Sequence, residues 1–158
     1  MYKVFTSKSS ARRSEAGFGK PLIGALLRFP REAVVQRMLE ALNEHGYDLT
    51  PAELAVMTYP GPDGKRPSEL ARAGATSRQS MNYLLSGLEA RGYLRRADGD
   101  QGLARLVQLT ERGRAAGKLM RKTVEQIERE WIEFLGKDRF AALSETLLDL
   151  SRWLGKVP

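Results

Sequence analysis

The sequence of 158 residues predicts a mainly α-helical fold with one small β-hairpin. Three observations carry this expectation. Apolar residues recur at steps of three and four over most of the chain. A cluster rich in glycine and aspartate, residues 97–102, separates two short apolar runs as a hairpin turn would. Between them and the N-terminal helices, Pro67 to Leu94 reads as two short helices around a tight turn.

Residues 1–19 show no sustained periodicity and are expected to form a flexible or partner-ordered arm. From Pro21 the pattern is helical, with Leu22, Ile23, Leu26 and Leu27 on one patch. Pro30 lacks the amide hydrogen that a helix interior needs, so a kink or a restart is expected there. The restarted helix buries Val34, Val35, Met38, Leu39 and Leu42 and ends near Gly46. Thr50-Pro51-Ala52-Glu53 is a capping box with proline at the first helical position, and opens a short helix with Leu54, Ala55 and Met57.

After the turn cluster of residues 59–64, Pro67 opens the first helix of the two-helix unit, with Glu69 in the first turn where the helix dipole favours an acid. Gly74-Ala75-Thr76 makes the turn, where alanine is tolerated if the backbone stays out of positive φ, and Ser77 caps the second helix. Met81, Leu84, Leu85 and Leu88 share its inner side, and Gly92 stops it. Strand candidates at residues 93–96 and 105–109 follow. Two helices, a turn and a hairpin in this order make a winged helix-turn-helix. Thr110 then caps a long helix carrying Ala116, Met120, Val124, Ile127, Trp131 and Phe134. A last helix from about Lys137 carries Phe140, Leu143, Leu147, Leu150 and Leu154.

The expected organisation is an arm over residues 1–19, N-terminal dimerisation helices over 20–48, a DNA-binding lobe over 49–110 and C-terminal dimerisation helices over 111–158. The terminal helices exceed what the lobe needs for cover, and their apolar seams suit pairing with a second chain. Two readers about one two-fold axis address both halves of a palindromic site.

Charge points the same way. The chain carries 26 lysines and arginines against 19 acids, a net +7. Lys65 to Arg96 alone holds seven bases against Glu69 and Glu89, which favours a polyanionic partner. In a helix-turn-helix the second helix enters the major groove of double-stranded DNA. Arg78, Gln79, Asn82 and Tyr83 are therefore the base-reading candidates, because arginine can grip guanine and asparagine or glutamine can grip adenine. Ser77, Ser80, Lys65, Arg66, Arg95, Arg96 and Arg105 are the phosphate candidates, Ser77 serving equally well as a cap. Met38, Tyr47, Met57 and Trp131 are candidates to line a small-molecule effector pocket or simply to fill the core.

Other chemistries find little support. There is no cysteine, which excludes disulfides, thiolate catalysis and cysteine-ligated zinc. The one histidine, His45, precedes a glycine at a helix end, where a cation suits the dipole. Asp98-Gly99-Asp100 lacks the further acids of a calcium loop and reads as a turn. Neither a phosphate-binding glycine loop nor paired catalytic carboxylates are evident, so neither an enzyme, a cofactor nor a metal is expected. The start of the chain lacks the apolar segment of a secretory signal, and no apolar run approaches about 20 residues, so a cytoplasmic, nucleoid-associated protein without membrane contact is expected.

From about Thr50 to Gly117 the chain resembles the MarR family of bacterial winged-helix transcriptional regulators. The resemblance rests on Ser68-Glu69-Leu70-Ala71, on Ser77-Arg78-Gln79-Ser80-Met81-Asn82, on residues 88–94 (LEARGYL) and on residues 109–114 (LTERGR). It implies a homodimer held by N- and C-terminal helices, usually a repressor and often released from DNA by a small ligand. The wing departs from the family pattern, in which an acid and an arginine precede the Val-x-Leu-Thr segment. Gln101 and Leu103 stand in their places, with Arg105 the nearest base. The expected function is a homodimeric, sequence-specific DNA-binding regulator. A winged-helix module for protein interaction or nucleoid association, with little sequence preference, is the alternative.

Overall fold

The computed structural model describes residues 19–58, 61–97 and 106–156. Along the chain run α1 (Ile23–Glu44), α2 (Pro51–Met57), α3 (Pro67–Ala73), α4 (Arg78–Ala90), β1 (Leu94–Ala97), β2 (Leu106–Leu109), α5 (Glu111–Leu135) and α6 (Lys137–Trp153). The strands pair antiparallel with Leu94 opposite Leu109 and Arg96 opposite Val107. The outer edge of β2 is also occupied. The Gly64 amide donates to Val107 O at 2.8 Å and the Val107 amide to Lys65 O at 2.9 Å, so the segment before α3 extends the small sheet.

The core lies where α1, α2, α4, the hairpin and the first half of α5 converge. Leu42, Leu54, Leu85, Leu88, Tyr93 and Val107 are sealed within it. Three predicted caps close local hydrogen bonds. Thr50 Oγ1 accepts from the Glu53 amide while Glu53 accepts from the Thr50 amide, Ser77 Oγ accepts from the Ser80 amide at 3.0 Å, and Thr110 Oγ1 accepts from the Gly113 amide at 3.1 Å. His45 Nδ1 lies 2.8 Å from Ala41 O, folded back on the end of α1.

The structure decides two local points. α1 runs unbroken through Pro30 and does not restart. Proline removes one donor, and the carbonyl four residues earlier belongs to half-exposed Leu26, which water can satisfy. Ala75 takes φ +47°, inside the left-handed region. The reason is the way α3 ends: the Ala75 amide donates to Arg72 O and the Thr76 amide to Ala71 O, a Schellman closure that requires left-handed backbone at Ala75. α1, α4 and α6 close with the same pair of bonds, and there the residue is Gly46, Gly92 or Gly155.

Thr110 and Gly113 fasten α5 to the hairpin. Thr110 Oγ1 donates to Gly92 O at 2.6 Å, and the Thr110 amide donates to Tyr93 O at 3.1 Å. A Cβ on Gly113 would stand 1.9 Å from that same Tyr93 oxygen, so only glycine lets the helix approach this closely. Farther along, the Arg37 fork grips the Glu130 carboxylate and ties α1 to α5.

One face has no cover. α6 has no buried residue, and Leu143, Leu147, Leu150 and Leu154 stand exposed beside Leu22, Ile23, Leu26 and Leu27 of the α1 start. Phe134 and Trp153 are more than four-fifths exposed.

Candidate nucleic-acid interface

The reading candidates sit on α4 because its two sides differ in chemistry. Met81, Leu85 and Leu88 face the core, while Arg78, Gln79, Asn82 and Tyr83 project outward, Tyr83 at 81% exposure. An exposed tyrosine on a helix whose other face is fully packed is available to a partner. Ser77 and Ser80 cluster at the N-terminus of α4 with their hydroxyls 2.8 Å apart. Ser77 therefore performs the capping task, accepting from the Ser80 amide.

The predicted cations separate into two groups. Lys65, Arg66 and Arg95 are exposed. Arg96, one residue after Arg95 on the strand, points to the opposite face and lies against α4. Its Nη2 donates to Ser86 Oγ at 3.1 Å, and its amide donates to Glu89 Oε1 at 3.2 Å. Arg105 and Asp98-Gly99-Asp100 lie outside the described residues, as do Gln101, Leu103, residues 1–18, Tyr59 and Pro60.

Behind the reader lies a junction that the sequence did not reveal as a unit. The Glu53 carboxylate, 5% exposed, is gripped by the Arg91 guanidinium, so the start of α2 is fixed to the end of α4. Arg91 Nε also donates to Gly87 O at 3.1 Å. Gly87 leaves room for the pair, since a Cβ there would meet Glu53 Oε1 at 3.0 Å. Alongside, the Tyr93 hydroxyl donates to Asp48 Oδ1 at 2.8 Å, and Arg112 lies over the rings of Tyr93 and Tyr47. The Tyr93 bond holds the Asp48 carboxyl below its usual range, whereas burial first, and then Asp48, push the Tyr93 phenol up. The capping box at Thr50 signalled Glu53. Nothing local signalled its partner 38 residues away.

The pocket candidates divide. Met38 and Trp131 line an apolar cavity of about 810 Å³ between the α1 start, α2, α5 and α6, together with Leu27, Leu54 and Leu143. Among the described residues, Arg31 is the one charged residue on its wall. Tyr47 instead packs under Arg112, and Met57 is in the core. Among the described residues no cluster of acids and histidines could hold a metal, and no helix is long and apolar enough to cross a membrane.

The model of the MarR family matches residues 57–102, which include the end of α2, the two-helix unit and β1. Solved structures are similar over nearly the whole chain. The Mycobacterium tuberculosis MarR family protein Rv2887, in complex with salicylic acid, is 26% identical with a TM-score of 0.61, covering 84% of this chain and 98% of that one. The transcriptional repressor CouR bound to p-coumaroyl-CoA is 27% identical with a TM-score of 0.61, covering 83% and 92%. FabT of Streptococcus pneumoniae in complex with DNA is 19% identical with a TM-score of 0.67, covering 85% and 96%, a likeness of fold alone. No curated protein matches the sequence.

Proposed function

We propose that the chain is a winged-helix transcriptional regulator of the MarR family, acting as a homodimeric repressor of bacterial transcription on a palindromic operator. The observation that carries this reading is the two-sided chemistry of α4, with Arg78, Gln79, Asn82 and Tyr83 exposed over a sealed apolar underside. Residues 49–110 form the DNA-binding lobe in this reading. Arg78, Gln79, Asn82 and Tyr83 read base edges, and Ser80, Lys65, Arg66 and Arg95 contact phosphates. FabT, which shares the fold, was solved with DNA.

The dimer is assigned to residues 20–48 and 111–158. Large apolar side chains left exposed on α6 and the α1 start are what an obligate partner covers, and a second copy offers the same surface about a two-fold axis. The cavity between these helices and α2 is the effector site. Its apolar wall with the cation Arg31 suits an apolar body bearing an anionic group. Rv2887 was solved with salicylic acid, an aromatic ring bearing a carboxylic acid, and CouR with p-coumaroyl-CoA. A ligand that favours one spacing of the two reading helices shifts the dimer away from its operator.

Selection of bound fragments from bacterial genomic DNA with the purified chain tests this reading. Recovery of one palindromic sequence is the expected result. Fragments without a shared sequence would instead favour a module that binds DNA non-specifically.

A further inference from the structure

We propose that Arg96 is a positioning residue for DNA reading, bolting the first strand of the wing to the reading helix rather than contacting phosphate. The proposal rests on the reading of α4 as the DNA reader. Arg95 and Arg96 are neighbours in sequence, yet strand alternation sends them to opposite faces. The Arg95 side chain is exposed, whereas that of Arg96 is only 23% exposed and lies across α4. There it meets one stripe of the helix, Asn82, Ser86 and Glu89, spaced by four and three residues. Nη2 donates to Ser86 Oγ at 3.1 Å and approaches Asn82 O at 3.5 Å, while Nε stands 3.4 Å from Glu89 Oε2. The Arg96 backbone amide donates to the other Glu89 oxygen at 3.2 Å, so one carboxylate holds both the strand and its side chain.

This arrangement has a directional consequence. Nε is sealed from solvent with no aligned hydrogen-bond partner of its own, and its nearby acid is Glu89. Swinging the guanidinium out to a phosphate would break the Ser86 bond and leave the Glu89 carboxylate without its cation. Holding it in place instead fixes the angle between hairpin and reading helix. It does so on the turn that contains Asn82, a base-reading candidate, so the clamp governs where that side chain meets a base edge.

Positioning and phosphate contact predict opposite signs for one substitution. Glu89→Gln removes a negative charge from the DNA-facing side, so electrostatics alone would tighten binding to any duplex. If Glu89 works through Arg96, the same change loosens binding to the chosen sequence. The experiment titrates the full chain and its Arg96→Gln, Glu89→Gln, Ser86→Ala and Arg95→Ala variants against the selected genomic duplex and a random duplex of equal length, over a salt series. Amide exchange at β1, β2 and α4 is followed in parallel without DNA. The clamp predicts that Arg96→Gln and Glu89→Gln each lower the preference for the selected duplex by about tenfold. Both leave the salt slope unchanged and speed exchange in the hairpin. Ser86→Ala, which keeps every charge, moves in the same direction by less. Arg95→Ala lowers affinity on both duplexes and reduces the slope by about one.

A drop of about one in the slope for Arg96→Gln, with equal loss on both duplexes, overturns the proposal, as does tighter binding by Glu89→Gln. If the unmodified chain shows no preference between duplexes, the reading of α4 fails on its own. The exchange rates then decide the clamp: faster hairpin exchange in both variants supports it, and unchanged rates overturn it.

Discussion

The guanidinium of Arg91 closes over the carboxylate of Glu53, and this pair ties the N-terminal part of α2 to the C-terminus of α4. Glu53 is almost wholly buried, and its second oxygen is committed to the Thr50 amide at 3.0 Å and the Thr50 hydroxyl at 2.9 Å. Removing the cation leaves a buried charge with only neutral donors. Arg91→Leu should therefore destabilise the chain by about 2–3 kcal/mol in urea unfolding, tempered by the partial exposure of Arg91. Adding Glu53→Leu should recover part of that loss. A single Arg91→Leu effect within about 0.5 kcal/mol of zero would mean that the pair is not what holds the two helices.

Ala75 supplies the opposite kind of test, a change that should improve the fold. It does the work that glycine does at the ends of α1, α4 and α6, with its Cβ in the unfavourable left-handed region. Ala75→Gly should raise stability by about 0.5–1 kcal/mol, the relieved strain exceeding the added freedom of the unfolded chain. The readout is a higher thermal midpoint. A lower one would show that the turn between α3 and α4 does not require positive φ.

Gly113 marks how tightly the hairpin and α5 are joined. A methyl group there collides with the Tyr93 carbonyl, which is backbone and cannot rotate away. Gly113→Ala should destabilise by about 2–3 kcal/mol despite the better helix propensity of alanine, because α5 must shift off the hairpin. Chemical denaturation of the two proteins side by side checks this, and unchanged stability would contradict the close approach.

Acid should loosen the α1–α5 junction. The Arg37 fork, with help from Gln126, holds the Glu130 carboxyl down from 4.5 to about 2. Because the folded value is lower, the pair's stabilisation is present above about 4.5 and is lost as pH falls through about 2. Between about pH 6 and pH 3, the thermal midpoint of the native chain should fall more than that of Glu130→Gln. Equal falls would assign the acid sensitivity to other carboxylates.

Much of the fold was legible because its signals are local. The capping residues Thr50, Ser77 and Thr110 announce helix starts through the chemistry of their own side chains, and the apolar steps on α4 and α5 identify buried faces. Of the kink or restart expected at Pro30, the restart does not occur, because one missing donor leaves the helix hydrogen bonds before and after it intact. The positive φ of Ala75 was not legible, because the hydrogen-bond closure of α3, not the residue type, sets its backbone. The exposed face of α4 follows from its buried face, so the outward placement of Arg78, Gln79, Asn82 and Tyr83 was legible in the sequence. The separate fates of Arg95 and Arg96 could not. Two adjacent arginines look alike in composition, and only the strand and its neighbouring helix distinguish a solvent cation from one locked on Glu89.

The central claim is that α4 reads sequence, and one comparison tests it most directly. Affinities of the native chain, Arg78→Ala and Asn82→Ala are measured on the duplex recovered from genomic DNA and on random duplex of the same length at fixed salt. The account predicts that each substitution weakens binding to the recovered duplex by about 1–3 kcal/mol while affecting random duplex much less. Equal losses on both duplexes would contradict it.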